Sequence, residues 1–400
     1  MPVTLTQPLT PDELHAEFDD LQKKLVPMWQ IIGGSAPADA PHENNTVVVV
    51  PSFPAELNLA GSEAQAYEER MLFLLFLLRQ PSLHLIFVTS LTIQPEIIDY
   101  YLSTLPGVII TNARRRLHLV SPHDGSAGSL SEKILARPPL IKQIRDLIPN
   151  PDRAHLVPFM PTDVDRELAV RLGIPMYAAD PRFWAFGTKS GCRRIFAEEG
   201  LPYPIGYENL HSMDELIAAI AKLRAQKPTI KSVIAKLNQG ASGDGNATID
   251  LTNLPAPGSP NEADEIRGRV ATMQYEDPSQ DYVKYANRME VYGAIVEERI
   301  VGDEVRSPST QLRVTPTGEI EMLSTHDQLL GGPSGQSYLG AVFPADSEYA
   351  WQIMREALKV GKRFAKEGIM GRFAIDFIAV RTGNQPWEIY AIEVNLRKGG

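Results

Sequence analysis

A single cysteine, Cys192, stands in a chain of 400 residues, which rules out an internal disulfide framework and fits a reducing compartment. Long apolar runs are also missing. The strongest, 71–78, falls far short of the ~20 residues a membrane-spanning helix needs, and it is expected to form a buried helix. The N-terminus lacks a basic-then-apolar leader, and Asp12, Glu13, Glu17, Asp19 and Asp20 argue against secretion. A soluble, cytoplasmic protein with no membrane partner is the expectation. Excess positive charge is lacking too: the formal net charge is -10, the wrong sign for a nucleic-acid partner. The one dense basic run, Arg114-Arg115-Arg116, reads as a solvated loop or strand edge. No Gly-x-Gly-x-x-Gly follows the first predicted strand, so the dinucleotide fingerprint is absent. Near Lys189-Ser190, Phe183 and Thr188 occupy the positions where a Walker loop needs its two glycines.

What the chain does have is a pair of acids in the wrong company. Asp376 lies in Phe373-Ala374-Ile375-Asp376-Phe377, and Glu393 in Ile392-Glu393-Val394-Asn395-Leu396. Both runs are apolar and β-like, a setting in which an unpaired ionised carboxylate is costly. On neighbouring strands the two would repel unless a cation lay between them. Asn395, two residues beyond Glu393, shares its sheet face and adds an amide oxygen. Two carboxylates and an amide form the hard, oxygen-only donor set that suits Mg²⁺, an ion that commonly completes its shell with a substrate phosphate. The alternative is two surface strands with incidental charges.

The expected fold is α/β. Thr10 before Pro11 is a helix N-cap with proline at the first helical position, and Leu14, Phe18, Leu21 and Leu25 follow at helical spacing. The β-branched run 46–50 reads as a strand buried on both faces. A long helix through Arg70 and Leu78 and strands at 83–88, 107–111 and 155–159 continue the alternation, with helical spacing over 130–148. Such alternation predicts an open, mostly parallel sheet with helices. Beyond Asp180-Pro181 the pattern changes: helices over 194–199 and 213–225, a strand at 232–237, and a glycine-rich loop running into a second strand at 247–251. Strand, glycine-rich loop and strand make a hairpin.

That hairpin can fold over a polyphosphate, because glycine lets backbone N–H groups approach oxygens closely. Lys236 immediately precedes it and is placed to neutralise phosphate charge; a flexible surface hairpin is the plain alternative. An apolar strand over 291–296 ends in Glu297-Glu298-Arg299-Ile300 and turns at Gly302, a place where main-chain groups can meet a heterocycle edge. His326, without a spaced partner, reads as a hydrogen-bonded loop residue, and Cys192 as a packing residue.

Taken in order, these pieces resemble the ATP-grasp superfamily over residues 181–400, with residues 1–180 looking like the α/β domain that commonly precedes it. The resemblance implies ATP and Mg²⁺. It places Lys189 and Lys236 on phosphates, and Gly240, Ser242, Gly243 and Gly245 in the loop that covers them. It puts Glu297 and Ile300 at the adenine hinge, Glu304 on the ribose, and Asp376, Glu393 and Asn395 on the metal. The segments Ser307-Pro308-Ser309-Thr310-Gln311, Thr325-His326-Asp327-Gln328 and Gly331-Gly332-Pro333-Ser334-Gly335-Gln336 resemble the peptide-ligase group that includes the pheganomycin-type enzyme. That likeness implies an ADP-forming carboxylate-amine ligase working through an acylphosphate, with a small-molecule acid and an amino acid or peptide as substrates; a homodimer is the default assembly on general grounds. A kinase on the same fold, or a nucleotide-binding protein without turnover, remains the alternative. Arg397 is expected to hold the acyl substrate or the transferring phosphoryl group. Some relatives carry arginine where this chain has Ala374, and Arg372 is the candidate substitute. A continuation past Gly400 is expected, since the chain stops directly after the metal-binding strand.

Overall fold

The structure, a computed structural model, describes residues 9–32, 44–240, 243–332, 335 and 337–399; of 31 and 32 it describes the backbone alone. The first helix, Pro11–Gln22, begins as its sequence dictates. Thr10 accepts from the Glu13 backbone and the Glu13 side chain returns the bond, a reciprocal cap that satisfies two otherwise orphaned donors.

Four strands form a wholly parallel sheet: β1 (Asn45–Val50), β2 (Leu83–Val88), β3 (Leu117–Val120) and β4 (Ala154–Pro158), in the order β3-β2-β1-β4. Alternate residues of β1 feed two separate cores, Val48 and Val50 on one face, Val47 and Val49 on the other. That double burial explains the unbroken valine run.

Three expectations fail in this region. The run 71–78 is not an α-helix: a helix over Gly61–Glu69 gives way to a 3₁₀ stretch, Arg70–Arg79. Met71, Leu72, Leu74, Leu75 and Leu78 are buried there, while Phe73 and Phe76 remain exposed. Residues 107–111 do not form a strand; a short helix, Ile110–Arg115, starts there with Ile109 and Ile110 exposed, and β3 takes the sheet position instead. Short apolar runs do not separate helix from strand by periodicity alone. Finally, the arginine run is solvated but does not begin as a loop or strand edge: exposed Arg114 and Arg115 end the helix Ile110–Arg115, Arg114 pairs with Asp99, and Arg116 donates to the carbonyls of Leu78, Gln80 and Leu83, tying off the 3₁₀ segment.

Two five-stranded sheets follow. One, ordered β5-β9-β6-β7-β8, comprises β5 (Gly206–Leu210), β6 (Ser232–Leu237), β7 (Asn246–Asp250), β8 (Gln274–Tyr275) and β9 (Ala294–Glu298). The other, ordered β12-β11-β10-β13-β14, comprises β10 (Glu304–Val314), β11 (Ile320–Gly331), β12 (Ser337–Val342), β13 (Gly371–Arg381) and β14 (Glu388–Asn395). Both are antiparallel. The helix Ser347–Glu367 packs Ile353, Ala357, Val360 and Phe364 on one face of the second sheet, against Phe373, Ile375, Phe377, Ile389, Ala391 and Val394. The other face is left for the site. Among the described residues no helix is long and apolar enough to cross a membrane.

Candidate functional site

Pleating sends Ala374, Asp376 and Ile378 of β13 away from the apolar core and into a cavity of about 620 Å³ between the two antiparallel sheets. On β14 the same result needs a correction of phase. Ile389 and Ala391 face the core, so strict alternation would bury Glu393 there as well. The register slips between Asp376 and Phe377: Asp376 faces Glu393, Phe377 faces Ala391, and Ile392 is the extra residue. This β-bulge flips the remainder of the strand, so Val394 enters the core while Glu393 and Asn395 line the cavity. Asn395 Nδ2 donates to Asp376 Oδ2 at 3.0 Å, and the three expected ligands share one wall.

Their electrostatics differ. Burial, then the facing Glu393, pushes the Asp376 carboxyl up to about 6. Burial also opposes ionisation of Glu393, but Lys189, at 2.5 Å from its Oε1, outweighs it and holds Glu393 below the usual carboxylate range. Lys189 keeps its charge for the reciprocal reason: burial disfavours the ammonium and Glu393 more than offsets it.

Lys189 is the first residue of the helix Lys189–Glu198, capped by Thr188, whose hydroxyl accepts from the Gly191 backbone at 3.0 Å. Only glycine fits at 191, because a Cβ there would overlap the Ala185 carbonyl. Asn238, at the end of β6, accepts from both the backbone and the hydroxyl of Ser190 at 3.0 and 2.8 Å. This ties the helix start to the strand that carries Lys236, and both lysines line the cavity. Lys236 Nζ lies 2.6 Å from Glu297 Oε1, and the other Glu297 oxygen takes Arg193 at 3.0 Å. All three are buried. Arg193, one turn after Lys189 and therefore on the same helix face, is the member that the sequence reading missed.

Gly240 and Gly243 line the cavity. Gly243 and Gly245 take positive φ of 87° and 85°, a backbone state that favours glycine. Gly245 packs against Leu237 behind the loop, and Ser242 lies outside the described residues. Asp244, also on the wall, is clamped by two bonds from Arg288 at 3.0 and 2.8 Å. Glu297 and Ile300 border the cavity with Glu298, Arg299 and Val301, where the chain leaves β9.

Two expectations are corrected. Glu304 does not reach the cavity. On β10, Val305, Ser307, Ser309 and Gln311 line it, so alternation points Glu304 to the opposite face, where Arg381 grips it at 3.0 and 2.8 Å. Arg372 does not reach it either: Ala374 is the last β13 residue on the wall, and Arg372 lies two positions further out with its guanidinium 5.5 Å over the Phe73 ring. Arg397 does line the cavity and helps draw the Asp376 carboxyl down.

His326 is not a loop residue. It sits in β11, buried, on the cavity wall, with its ring stacked on Phe343 at 4.7 Å between centroids. Cys192 is a packing residue: burial, then Glu393, pushes its thiol up to about 12, and its sulfur accepts from the Val394 backbone at 3.2 Å. A last part of the wall comes from the parallel-sheet unit, through Leu57, Leu59, Tyr67, Arg70, Phe159 and Met160. Arg70 stacks over Tyr67 at 4.2 Å.

Two lysines, a glycine-rich hairpin and an acid–acid–amide wall between two antiparallel sheets, after a parallel α/β unit, define an ATP-grasp protein. Residues 183–267 and 261–398 match the family described as IQCH-like, ATP-grasp, and the chain belongs to that family. It is 28% identical over 339 residues to the L-propargylglycine--L-glutamate ligase of Streptantibioticus cattleyicolor, covering 83% of this chain and 66% of the relative. It is 23% identical over 398 residues to IQ motif-containing protein H of Danio rerio, covering 88% of this chain and 37% of that protein. The chain thus spans less than two thirds of either relative's length. Among solved structures, the biotin carboxylase of Campylobacter jejuni in its β-γ-ATP complex superposes with a TM-score of 0.53 at 15% identity, covering 90% of this chain and 66% of that one. The ADP complex of an N5-carboxyaminoimidazole ribonucleotide synthetase gives 0.51 at 11% identity, covering 89% and 71%. At those identities the likeness speaks for the fold alone.

Proposed function

We propose that the protein is an ADP-forming carboxylate-amine ligase that uses ATP and Mg²⁺. The carrying observation is the convergence, in one cavity, of two buried lysines with the Asp376–Glu393–Asn395 wall. The sequence likeness to a ligase joining two amino acids supports the reaction class. Residues 1–180 and 181–400 are taken as the preceding α/β domain and the ATP-grasp domain.

Asp376, Glu393 and Asn395 would hold Mg²⁺. Among the described residues no group of three His, Cys, Asp or Glu side chains is placed to hold a metal ion, and the two carboxylates with an amide make only a half-shell. That fits an ion that keeps several waters and takes phosphate oxygens as ligands. Held there, such an ion would supply positive charge against the phosphates.

Lys189 and Lys236 each hold a carboxylate now, and would exchange it for phosphate oxygens when nucleotide enters. Gly240 and Gly243 bring backbone N–H groups over those oxygens. Glu297 and Ile300 sit where the base would meet the chain leaving β9. Arg397, facing Asp376, orients the acid or the phosphoryl group passing to it. The γ-phosphoryl transfers to the acid's carboxylate, ADP leaves, and an amine displaces phosphate from the acylphosphate; the protein's part is positioning and charge balance.

The test is turnover with amino acids and short peptides, with hydroxylamine as trap and mass detection. ADP, phosphate and a hydroxamate are expected, and an amide when an amine is present. AMP and pyrophosphate would overturn the reading, and a stable phosphorylated product that never couples to an amine would indicate a kinase.

A further inference from the structure

Four strands place one residue each in a single rung across the cavity wall. His326 on β11 pairs with Ser309 on β10, Ser309 pairs with Asp376 on β13, and Asp376 pairs with Glu393 on β14. All four line the cavity. His326 therefore stands two strand spacings, roughly 10 Å, from Asp376. That is too far for a shared ion and about right for a group reaching the substrate on which phosphate is placed.

The two imidazole nitrogens of His326 differ in their surroundings. Its Nδ1 is buried and without a partner, which leaves Nε2 as the nitrogen at the wall. A neutral imidazole carries one proton. A buried N–H without an acceptor is rarer and costlier than a bare lone pair, so the proton belongs on Nε2. Burial favours the neutral ring. Asp327 alone pulls the other way, and its carboxylate is turned to the Tyr349 hydroxyl at 2.7 Å and the Asp346 backbone at 2.9 Å. Phe343 fixes the ring plane.

We infer that His326 is a neutral hydrogen-bond donor to the substrate, its Nε2–H aimed at the oxygen of the activated carbonyl that becomes an oxyanion when the amine attacks. This rests on the ligase reading and goes beyond it by naming the group that stabilises the second step. The nitrogen–carbon bond forms, the carbonyl electrons move onto that oxygen, and they return as phosphate leaves with the acyl–oxygen bond pair. The amine proton passes to phosphate or solvent, and His326 begins and ends neutral. A preorganised donor at such a point is worth ~10²–10³ in rate.

The experiment compares His326→Leu with His326→Gln, using the twenty proteinogenic L-amino acids as acids and amines, Mg-ATP, and hydroxylamine as a second nucleophile. His326→Leu should slow both amide and hydroxamate formation by about 10²-fold, with the KM for ATP and Mg-ADP affinity unchanged. His326→Gln, which keeps an N–H donor, should recover at least about tenfold of that loss. Ring ¹⁵N spectra of the wild type should show the Nε2–H tautomer, with the ring staying neutral across neutral pH. An Nδ1–H tautomer overturns the inference, as does a folded His326→Leu of near-normal rate. So does a Leu variant that loses amide formation but keeps hydroxamate formation, since hydroxylamine is already unprotonated and that pattern marks a base. Wild-type protein that releases no ADP with any acid counts against the ligase reading, and the donor role falls with it.

Discussion

Asp376→Asn should stabilise the protein when no divalent cation is present. The folded-state pKa of about 6 stands against an ordinary 3.8, and each tenfold in proton affinity is about 1.4 kcal/mol. Full ionisation of Asp376 therefore forfeits at most about 3 kcal/mol, and partial solvent access reduces this to about 1–2 kcal/mol. The sign follows from proton linkage. Between pH 4 and 6 the folded state holds a proton that the unfolded state has released, so the wild type loses stability as pH rises through that window and no more above it. The Asn variant lacks the acid and keeps an oxygen to accept from Asn395. Urea unfolding in EDTA should show equal stability near the bottom of the window, with the variant ahead by about 1–2 kcal/mol at neutral pH. Adding Mg-ATP should reverse the order, because only the wild type gains by binding. A wild type as stable as the variant at neutral pH without cation, or a difference that does not grow through the window, would refute the raised Asp376 carboxyl, and with it the burial and the Glu393 repulsion that cause it.

Three further outcomes follow from the same wall. Lys236→Ala should cut turnover by ~10²–10³ while the melting temperature stays close to wild type, because Arg193 still neutralises Glu297; normal ADP release from the folded variant would remove Lys236 from the site. Gly240→Ala places a Cβ on the Asp244 carbonyl, so Mg-ADP affinity measured by calorimetry should fall with little change in melting; unchanged affinity would free the hairpin from any phosphate role. Deleting Ile392 removes the bulge and leaves a regular alternation that keeps Ala391 in the core and Glu393 at the cavity, so the variant should fold and still bind Mg-ADP. A folded deletion variant that has lost Mg-ADP binding would falsify the phase argument.

Much of this was legible in the chain itself, wherever the cause is local. Thr10 and Pro11 announce the start of their helix, the valines of 47–50 their double burial, and the glycines after Lys236 their hairpin. Asp376 and Glu393 betray a site because a carboxylate in an apolar strand has to have a reason, and that reason survives without knowing the register. Glu304 shows the limit. The family resemblance put it on the ribose, yet strand parity relative to Ser307 and Ser309 turns it toward Arg381. Ile392 shows it again: one residue out of phase decides whether Glu393 meets Lys189 or the hydrophobic core, and a bulge is fixed by cross-strand pairing. Arg193 and His326 could not be singled out, because their meaning lies in partners 104 residues away in one case and in a rung across four strands in the other. The sequence determined which residues are costly or exceptional where they stand, because propensity, capping and desolvation act over a few neighbours. Which cation meets which carboxylate, and which faces look into one cavity, only the packed sheets decided, since register and contact between distant segments exist only once the chain has folded.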